Sequence, residues 1–247
     1  MLSKREKLER DLLTIIRDST QPVGCGHISQ VLQNMGHSIS EATVGRLLRD
    51  LDNQGFTDKA GFQGRSLSAQ GTARLDELLN RQKSFEWGIE FASSLRSHTK
   101  GQLLEVLVAR RAIESELAYL AAANRSEAEA AQLREILERQ RRALDAGGGA
   151  AQEDVDFHAL IARMAGNRVL GAAIALIRQD TQLSPVLEYI RRRVKSPVYI
   201  DHKRLAEAIA DGRADSAREI MVEHINNLMK DVEKYWKMAG VHDKESG

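Results

Sequence analysis

Apolar residues recur at helical spacing along most of the chain. Near the start they predict a helix over Lys4–Asp18 and a short one over His27–Met35. A third helix should begin after Ser40 and stop at Gly55. Serine is a favoured N-cap, and glycine favours the position just past a helix C-terminus. The first 55 residues therefore predict three short helices with defined ends.

The pattern of residues changes after Gly55 and no longer has helical spacing. Two short segments flank a glycine-containing tip at Gly61–Gly64, and another helix opens at Ser68. This favours a two-stranded hairpin between helices. The order of three helices, hairpin and helix is that of a winged helix-turn-helix. In that motif the third helix would enter the major groove of double-stranded DNA, and Lys59 or Arg65 in the wing would contact the backbone.

The candidate DNA-binding residues lie on the third helix, on its N-cap and on the wing. The first 80 residues carry equal numbers of basic and acidic side chains. Because phosphate contacts require local positive charge, we expect a clustered basic face that is doubled by dimerisation. The candidates are Ser40, Glu41, Thr43, Arg46, Arg49, Lys59 and Arg65.

The stretch SISEATVGRLLRDLDNQGF, followed by GRSLSAQG, resembles the winged helices of prokaryotic regulators. It is most similar to the type shared by the nitrogen repressor of methanogens and the N-terminus of ribonuclease R. The resemblance covers about residues 7–80 and implies DNA binding. Winged helices also serve as protein-interaction or RNA-binding modules, which is the alternative for this domain.

From residue 101 onward the pattern predicts helices only, which favours an antiparallel helical bundle. The fold class is therefore mainly α. Ser126 should cap one of these helices, and another should run over Asp154–Met164. The segment Arg191 to Lys195 is expected to be a solvated helix end and not a DNA contact. We predict a DNA-binding domain over 1–80, a connecting helix or linker over 81–100, and a helical metal- and effector-binding domain over 101–240.

Composition points to a soluble, cytoplasmic protein. The chain is 42% hydrophobic and 29% charged, with a formal net charge of +1. Cys25 is the single cysteine, which suits a reducing compartment. No apolar run approaches the roughly 20 residues that span a bilayer, so no membrane contact is expected.

Candidate metal ligands lie in the helical domain. Asp154 and His158 are four residues apart and so share one helix face, and His202 and His224 fall in two later helices. Three imidazoles and one carboxylate suit a first-row divalent ion, with zinc or nickel the preferred metals.

Such a metal with a single carboxylate ligand would keep a net charge of +1 and attract an anion. Arg110 or Arg111 is the candidate residue to bind this anion, because a guanidinium can donate two parallel hydrogen bonds to a carboxylate. Asn167 is expected mainly as an N-cap and is also a candidate effector contact.

Three segments resemble the ligand-binding (FCD) domain of the FadR branch of GntR-type regulators, over about residues 101–230. They are LLEVLVARRAIESELAYLAA, DVDFHALIARMAGNRVL and DHKRLAEAIADGRADSAREIMVEHI. The resemblance implies that Arg110 precedes Glu114 at family spacing and that Asp154, His158, His202 and His224 are metal ligands. It also implies a small carboxylate effector and a homodimer. The winged-helix signature of GntR regulators, a Leu-Pro-Ser-Glu-Arg type of stretch, is missing.

Together these features predict a ligand-responsive transcriptional regulator and not an enzyme. Two alternatives stay open. A metal with three histidines and one aspartate can activate water, so a metal-dependent hydrolase is conceivable, although no general base stands out beside the ligands. The metal could also be purely structural.

Overall fold

The computed structural model describes residues 1–95, 99–179, 183–196 and 198–239; within helix 183–194, the side chains of residues 183 and 184 are not described. The chain divides into two compact units, residues 1–90 and residues from 91 onward. Each unit has a hydrophobic core of its own. No helix within the described ranges is long and apolar enough to cross a membrane.

The first unit is the predicted winged helix-turn-helix. Its third helix, Glu41–Asn53, buries Val44 and Leu48 completely against side chains of the two preceding helices, such as Leu13 and Ile28. Ser40 caps this helix as expected, and Gly55 follows it with a φ of 73°. The elements are α1 (Lys4–Asp18), α2 (Cys25–Asn34), α3 (Glu41–Asn53), β1 (Thr57–Lys59), β2 (Arg65–Leu67) and α4 (Ala69–Ser94).

Two helices in this region differ in extent from the sequence prediction. The N-terminus of α2 lies at Cys25, two residues earlier than expected, with Gly24 as its N-cap. Helix α4 continues without interruption past residue 80, where a separate connecting helix was expected. The predicted linker over 81–100 is therefore largely the second half of α4, and residues 96–98 lie outside the described part.

The wing is an antiparallel pair in which Thr57 faces Leu67 and Lys59 faces Arg65. Arg65 also exchanges both of its backbone hydrogen bonds with Val23, at 2.9 and 3.0 Å. Gly64 has a φ of 126°, and a Cβ at this position would lie 2.3 Å from the Val23 carbonyl. Only glycine can therefore hold the wing against the segment before α2.

The second unit is a bundle of helices, and no strand occurs among its described residues. Side chains cap three of the helices: Thr99 and Ser126 form capping boxes, and Asn167 accepts from two backbone N–H groups. The bundle consists of α5 (Lys100–Asn124), α6 (Glu127–Asp145), α7 (Ala151–Met164), α8 (Arg168–Arg178), α9 (Leu183–Val194), α10 (Val198–Ala210) and α11 (Ala214–Ala239).

The long helices α5 and α11 pack along each other, and α5 also contacts α7, α8 and α10. Helix α7 begins at Ala151, three residues earlier than expected, so Asp154 lies in its first turn. The bundle interior is not wholly apolar. Several charged or polar side chains are buried in it, and they belong to the site described next.

Candidate metal and anion site

The structure brings the four predicted metal ligands together inside the bundle. Asp154 and His158 lie one turn apart on α7, while His202 comes from α10 and His224 from α11. The three histidines are at most 3% exposed. Each offers a ring nitrogen within 4.8 Å of the others. Phe157, fully buried, stacks on His202 with ring centroids 4.5 Å apart.

Each imidazole directs Nδ1 toward an oxygen that can only accept a hydrogen bond. His202 Nδ1 lies 3.0 Å from Oε1 of Gln140, and His158 Nδ1 lies 2.5 Å from Oε2 of Glu114. His224 Nδ1 lies 3.5 Å from Oδ2 of Asp201, and neither this contact nor that of His158 has hydrogen-bond geometry. The nearby acceptors favour the proton on Nδ1 of each neutral ring, which leaves the Nε2 lone pair available.

The three Nε2 atoms have no hydrogen-bond partner among the residues that the structure describes. Oδ1 of Asp154 lies 3.6 Å from Nε2 of His202 and 3.9 Å from Nε2 of His158. Buried polar atoms are normally paired, so three unpaired Nε2 atoms, two of them within 4 Å of one carboxylate, need an explanation. A divalent metal ion supplies one, because the donor set of three imidazoles and a carboxylate suits zinc or nickel.

The histidines are kept neutral, as metal ligation requires. Burial lowers the pKa of His158 to about 4, and the nearby Arg178 guanidinium acts in the same direction. Burial and the adjoining imidazole of His224 lower the pKa of His202 well below its ordinary value. Burial also lowers the pKa of His224, although Asp201 opposes the shift.

Two arginines hold the carboxylate of Asp154. Arg178, the last residue of α8, donates to Oδ2 at 2.7 Å, and Arg191 of α9 donates to Oδ1 at 2.9 Å. Burial raises the pKa of Asp154, but the two guanidinium groups outweigh it and hold the pKa well below its ordinary value. The aspartate is therefore ionised and positioned at the centre of the site.

Arg110 lies in the site, but it is paired with Glu114. Its Nε donates to Oε1 at 2.6 Å, and both side chains are almost fully buried. One nitrogen of the guanidinium, Nη2, has no hydrogen-bond partner among the described residues. Arg110, Arg178 and Arg191 balance the three buried carboxylates Glu114, Asp154 and Asp201, so this network is neutral when the histidines are neutral.

Sequence reasoning missed Gln140, Arg178, Arg191 and Asp201. It treated Arg191 as part of a solvated helix end, and this is wrong, because Arg191 is 9% exposed while the next two arginines are exposed. The signal was present, since Arg191 falls in the stripe of Leu187, Ile190 and Val194 at helical spacing. Gln140 and Arg178 carry the same signal, since Gln140 continues the stripe of Leu133, Ile136 and Leu137, and Arg178 follows Leu170 and Ile174 at four-residue spacing. The packing of α6 and α8 then decides which partners they meet.

Asn167 acts as the N-cap of α8, and its Oδ1 accepts from the backbone N–H groups of Val169 and Leu170, both at 3.1 Å. It also lines a groove of about 1070 Å³ between α7 and α8, together with His158 and Arg178. Its side-chain oxygen is already occupied by the cap. An effector contact by this residue stays a prediction.

The predicted DNA-binding residues are mostly accessible on one end of the first unit. Ser40, Glu41, Arg46 and Arg49 are exposed, and Thr43 is half-buried beneath Arg46, which donates to its hydroxyl at 3.1 Å. The buried stripe of α3 faces the core, so the opposite face carries the two arginines outward.

The two wing candidates differ in their surroundings. Arg65 donates to both carboxylate oxygens of Asp52, at 2.8 and 2.9 Å, and its side chain is 15% exposed. Lys59 lies 3.4 Å from the same carboxylate with 62% of its side chain exposed. Lys59 is therefore the more accessible cation, while Arg65 joins the wing to the C-terminal turn of α3.

Family comparisons agree with this architecture. Residues 105–227 match the FCD domain, and residues 10–75 match the ribonuclease R winged-helix domain. The chain thus joins a winged helix of the ribonuclease R type to an FCD domain, which confirms both resemblances.

Two individual relatives each align with part of this chain. The global nitrogen regulator NrpRI of Methanosarcina mazei is 38% identical over 76 residues, which are 30% of this chain and 24% of that protein. The Uxu operon regulator of Haemophilus influenzae is 27% identical over 144 residues, 56% of this chain and 53% of that protein. The chain thus spans about a quarter to a half of these relatives. Both are named as regulators rather than enzymes, in agreement with the sequence prediction.

Among solved structures, the chain is similar to Escherichia coli McbR/YncC, with 16% sequence identity and a TM-score of 0.48. The alignment covers 97% of this chain and 100% of that one.

Proposed function

We propose that this protein is a DNA-binding transcriptional regulator whose FCD domain binds a divalent metal and a small organic acid. The observation that supports the sensing part is the cluster of three buried histidines with unpartnered Nε2 atoms, two of which lie within 4 Å of Asp154. Asp154, His158, His202 and His224 would hold the metal, with zinc or nickel preferred. Bound there, the metal would offer open coordination positions to a carboxylate.

The charge of the site favours an anionic effector. A divalent metal would give the otherwise neutral buried network a net positive charge, and Arg110, Arg178 and Arg191 each retain a buried nitrogen without a hydrogen-bond partner among the described residues. Guanidinium groups bind carboxylates well, and charge-assisted hydrogen bonds are stronger than neutral ones. A small carboxylate would satisfy both the charge and the donors.

The first unit supplies the proposed DNA contacts. The exposed Arg46 and Arg49 on α3 would lie in the major groove, where arginine pairs with guanine, and Lys59 would contact the backbone. The domain's neutral charge favours a homodimer, because two copies double the number of phosphate contacts.

A homodimer is also supported by the surface of α8. Val169 and Leu176 on this helix are exposed, and the groove between α7 and α8 is mainly apolar. Contiguous apolar surface on a soluble protein commonly marks an interaction site. Light scattering should give the mass of a dimer, and Leu176→Glu should shift it toward the monomer. If the wild-type protein were monomeric and still bound its operator, the proposed homodimer would be wrong.

Metal analysis of the purified full-length protein tests the sensing proposal directly. We expect about one zinc or nickel per chain in the wild type, and a strong reduction in His158→Ala and His224→Ala. His27→Ala is the matched control, since His27 is an exposed histidine of the first unit. Wild-type protein that takes up no divalent metal would exclude the proposed centre.

Binding of carboxylates then separates a sensing metal from a structural one. An effector present at 100 times its Kd should stabilise the protein by about 2.7 kcal/mol. Addition of the same acid should change the mobility of the protein–DNA complex in a gel-shift assay with the native upstream region. A metal-loaded protein that responds to no acid would carry a structural metal.

A further inference from the structure

A cavity of about 320 Å³ opens beside Asp154, between α6, α7, α9 and α10. Asp154 and Arg191 lie at its charged end. The rest of the described lining is mainly apolar, with Leu144, Leu187, Val198 and Ile200 among its wall residues. The volume lies within the range of small-molecule sites in proteins.

The charged end is suited to an anion. Arg191 uses Nη1 for Asp154, while its buried Nε has no hydrogen-bond partner among the described residues. An unsatisfied buried donor is costly, and a carboxylate oxygen is the strongest acceptor that could satisfy it. The cavity therefore combines one anion-binding end with apolar walls.

The walls are more apolar than polar. Of the polar residues that line the cavity, Gln140 faces His202 Nδ1, and Glu188 accepts from the Ala150 N–H at 2.8 Å. The other polar lining residues are Arg192, Lys195, Ser196 and Tyr199. Leu144 and Ile200 are 41% and 57% exposed. A ligand with an apolar body would cover these two side chains, whereas hydroxyl groups placed against them would lose water without gaining partners.

We propose that this cavity binds the apolar body of an alkyl or aryl carboxylic acid, with its carboxylate toward Arg191 and Asp154. This inference rests on the proposed function, because it names the class of acid that the same site would sense. It places the effector on the side of α7 that faces α9 and α10, and not in the groove between α7 and α8.

A chain-length series tests the class of ligand. Calorimetry with metal-loaded, full-length protein would compare acetate, butyrate and hexanoate, with gluconate as the six-carbon polyhydroxylated counterpart of hexanoate. Each buried methylene should tighten binding by about fourfold. Hexanoate should therefore bind more than about tenfold tighter than both acetate and gluconate.

A matched pair of variants tests the location. Ala151 lines the cavity and Ala172 lines the groove between α7 and α8, and neither side chain is fully buried. Ala151→Phe should weaken hexanoate binding by about tenfold or more, since it fills the cavity, while Ala172→Phe should leave it unchanged. Metal content, measured in both variants, should equal that of the wild type.

Three results would overturn the inference. They are gluconate binding at least as tightly as hexanoate, no dependence on chain length, or a loss of binding in Ala172→Phe but not in Ala151→Phe. In each of these cases the protein still binds an acid, so the proposed function survives. If a metal-loaded protein bound none of the four acids, the inference would fail together with the effector part of the proposed function.

Discussion

Arg191 donates through Nη1 to Oδ1 of Asp154 at 2.9 Å, although 37 residues separate them in the chain and both side chains are buried. This contact joins α9 to α7 at the centre of the bundle. It also places a permanent positive charge next to the carboxylate that would bind a metal. The stability of the domain and the chemistry of its site are therefore coupled through one ion pair.

Removing this ion pair should destabilise the protein. Arg191→Met removes one of the two guanidinium groups that pair with Asp154, while Arg178 still donates to its Oδ2 at 2.7 Å. The lost charged hydrogen bond should lower the free energy of unfolding by about 2 kcal/mol. Arg192→Met, at the exposed neighbouring position, should change it by less than about 0.5 kcal/mol. Urea denaturation of both variants measures the difference, and equal stabilities would show that the pair contributes little.

Gln140 should influence metal affinity without being a ligand. Its Oε1 faces Nδ1 of His202 and so favours the tautomer with a free Nε2. Gln140→Leu should weaken metal binding by about 10- to 100-fold, as is typical for residues that orient a ligand. The exposed Gln152 provides the control variant Gln152→Leu. Competition with a chelator of known affinity measures the metal affinity of each variant. An unchanged metal affinity in Gln140→Leu would rule out this orienting role.

The metal-free protein should become less stable as the pH falls. The pKa of His158 is about 4 in the folded protein, against an ordinary value of 6.5. The unfolded chain therefore binds more protons between these two values, and stability is lost as the pH drops below 6.5 toward 4. From pH 7 to pH 5, His158 alone should cost about 2 kcal/mol.

Urea denaturation of chelator-treated protein at the two pH values tests this expectation. His158→Gln should show a smaller loss between them than the wild type, because glutamine does not titrate. Identical losses in the two proteins would mean that His158 does not contribute to the pH dependence.

DNA affinity should depend on α3. Arg46→Ala and Arg49→Ala should each weaken operator binding, and a variant that loses a phosphate contact should reduce the slope of log affinity against log salt by about 1. Arg17→Ala on α1 is the control, since this arginine is also exposed and pairs only with Asp18 among the described residues. Wild-type affinity for the operator in both variants would show that α3 is not the recognition helix.

Arg65 should affect DNA binding through the position of the wing and not through a phosphate contact. Asp52→Ala and Arg65→Ala should each weaken binding, and the double variant should be no weaker than either single variant, because all three break the same ion pair. The salt slope should stay unchanged in Arg65→Ala. A slope reduced by about 1 would instead indicate direct contact with a phosphate.

The local features of the sequence predicted most of the secondary structure. Ser40, Ser126 and Asn167 cap the helices that they were expected to cap, and Gly55 ends α3. Such signals are short-range, because a cap or a positive φ depends on residues within one turn. The starts of α2 and α7 were misplaced by two and three residues, since neither Gly24 nor Ala150 provides a side-chain cap.

The two-part architecture and the candidate ligands Asp154, His158, His202 and His224 could be predicted from the sequence, because residue type and helical spacing are local properties. The surroundings of these ligands depend on the tertiary structure. Arg178 and Arg191 reach Asp154, and Gln140 reaches His202, from helices whose positions depend on packing of the whole bundle. The charge of the site and the apolar cavity beside it arise from these long-range contacts, which no spacing along the chain encodes.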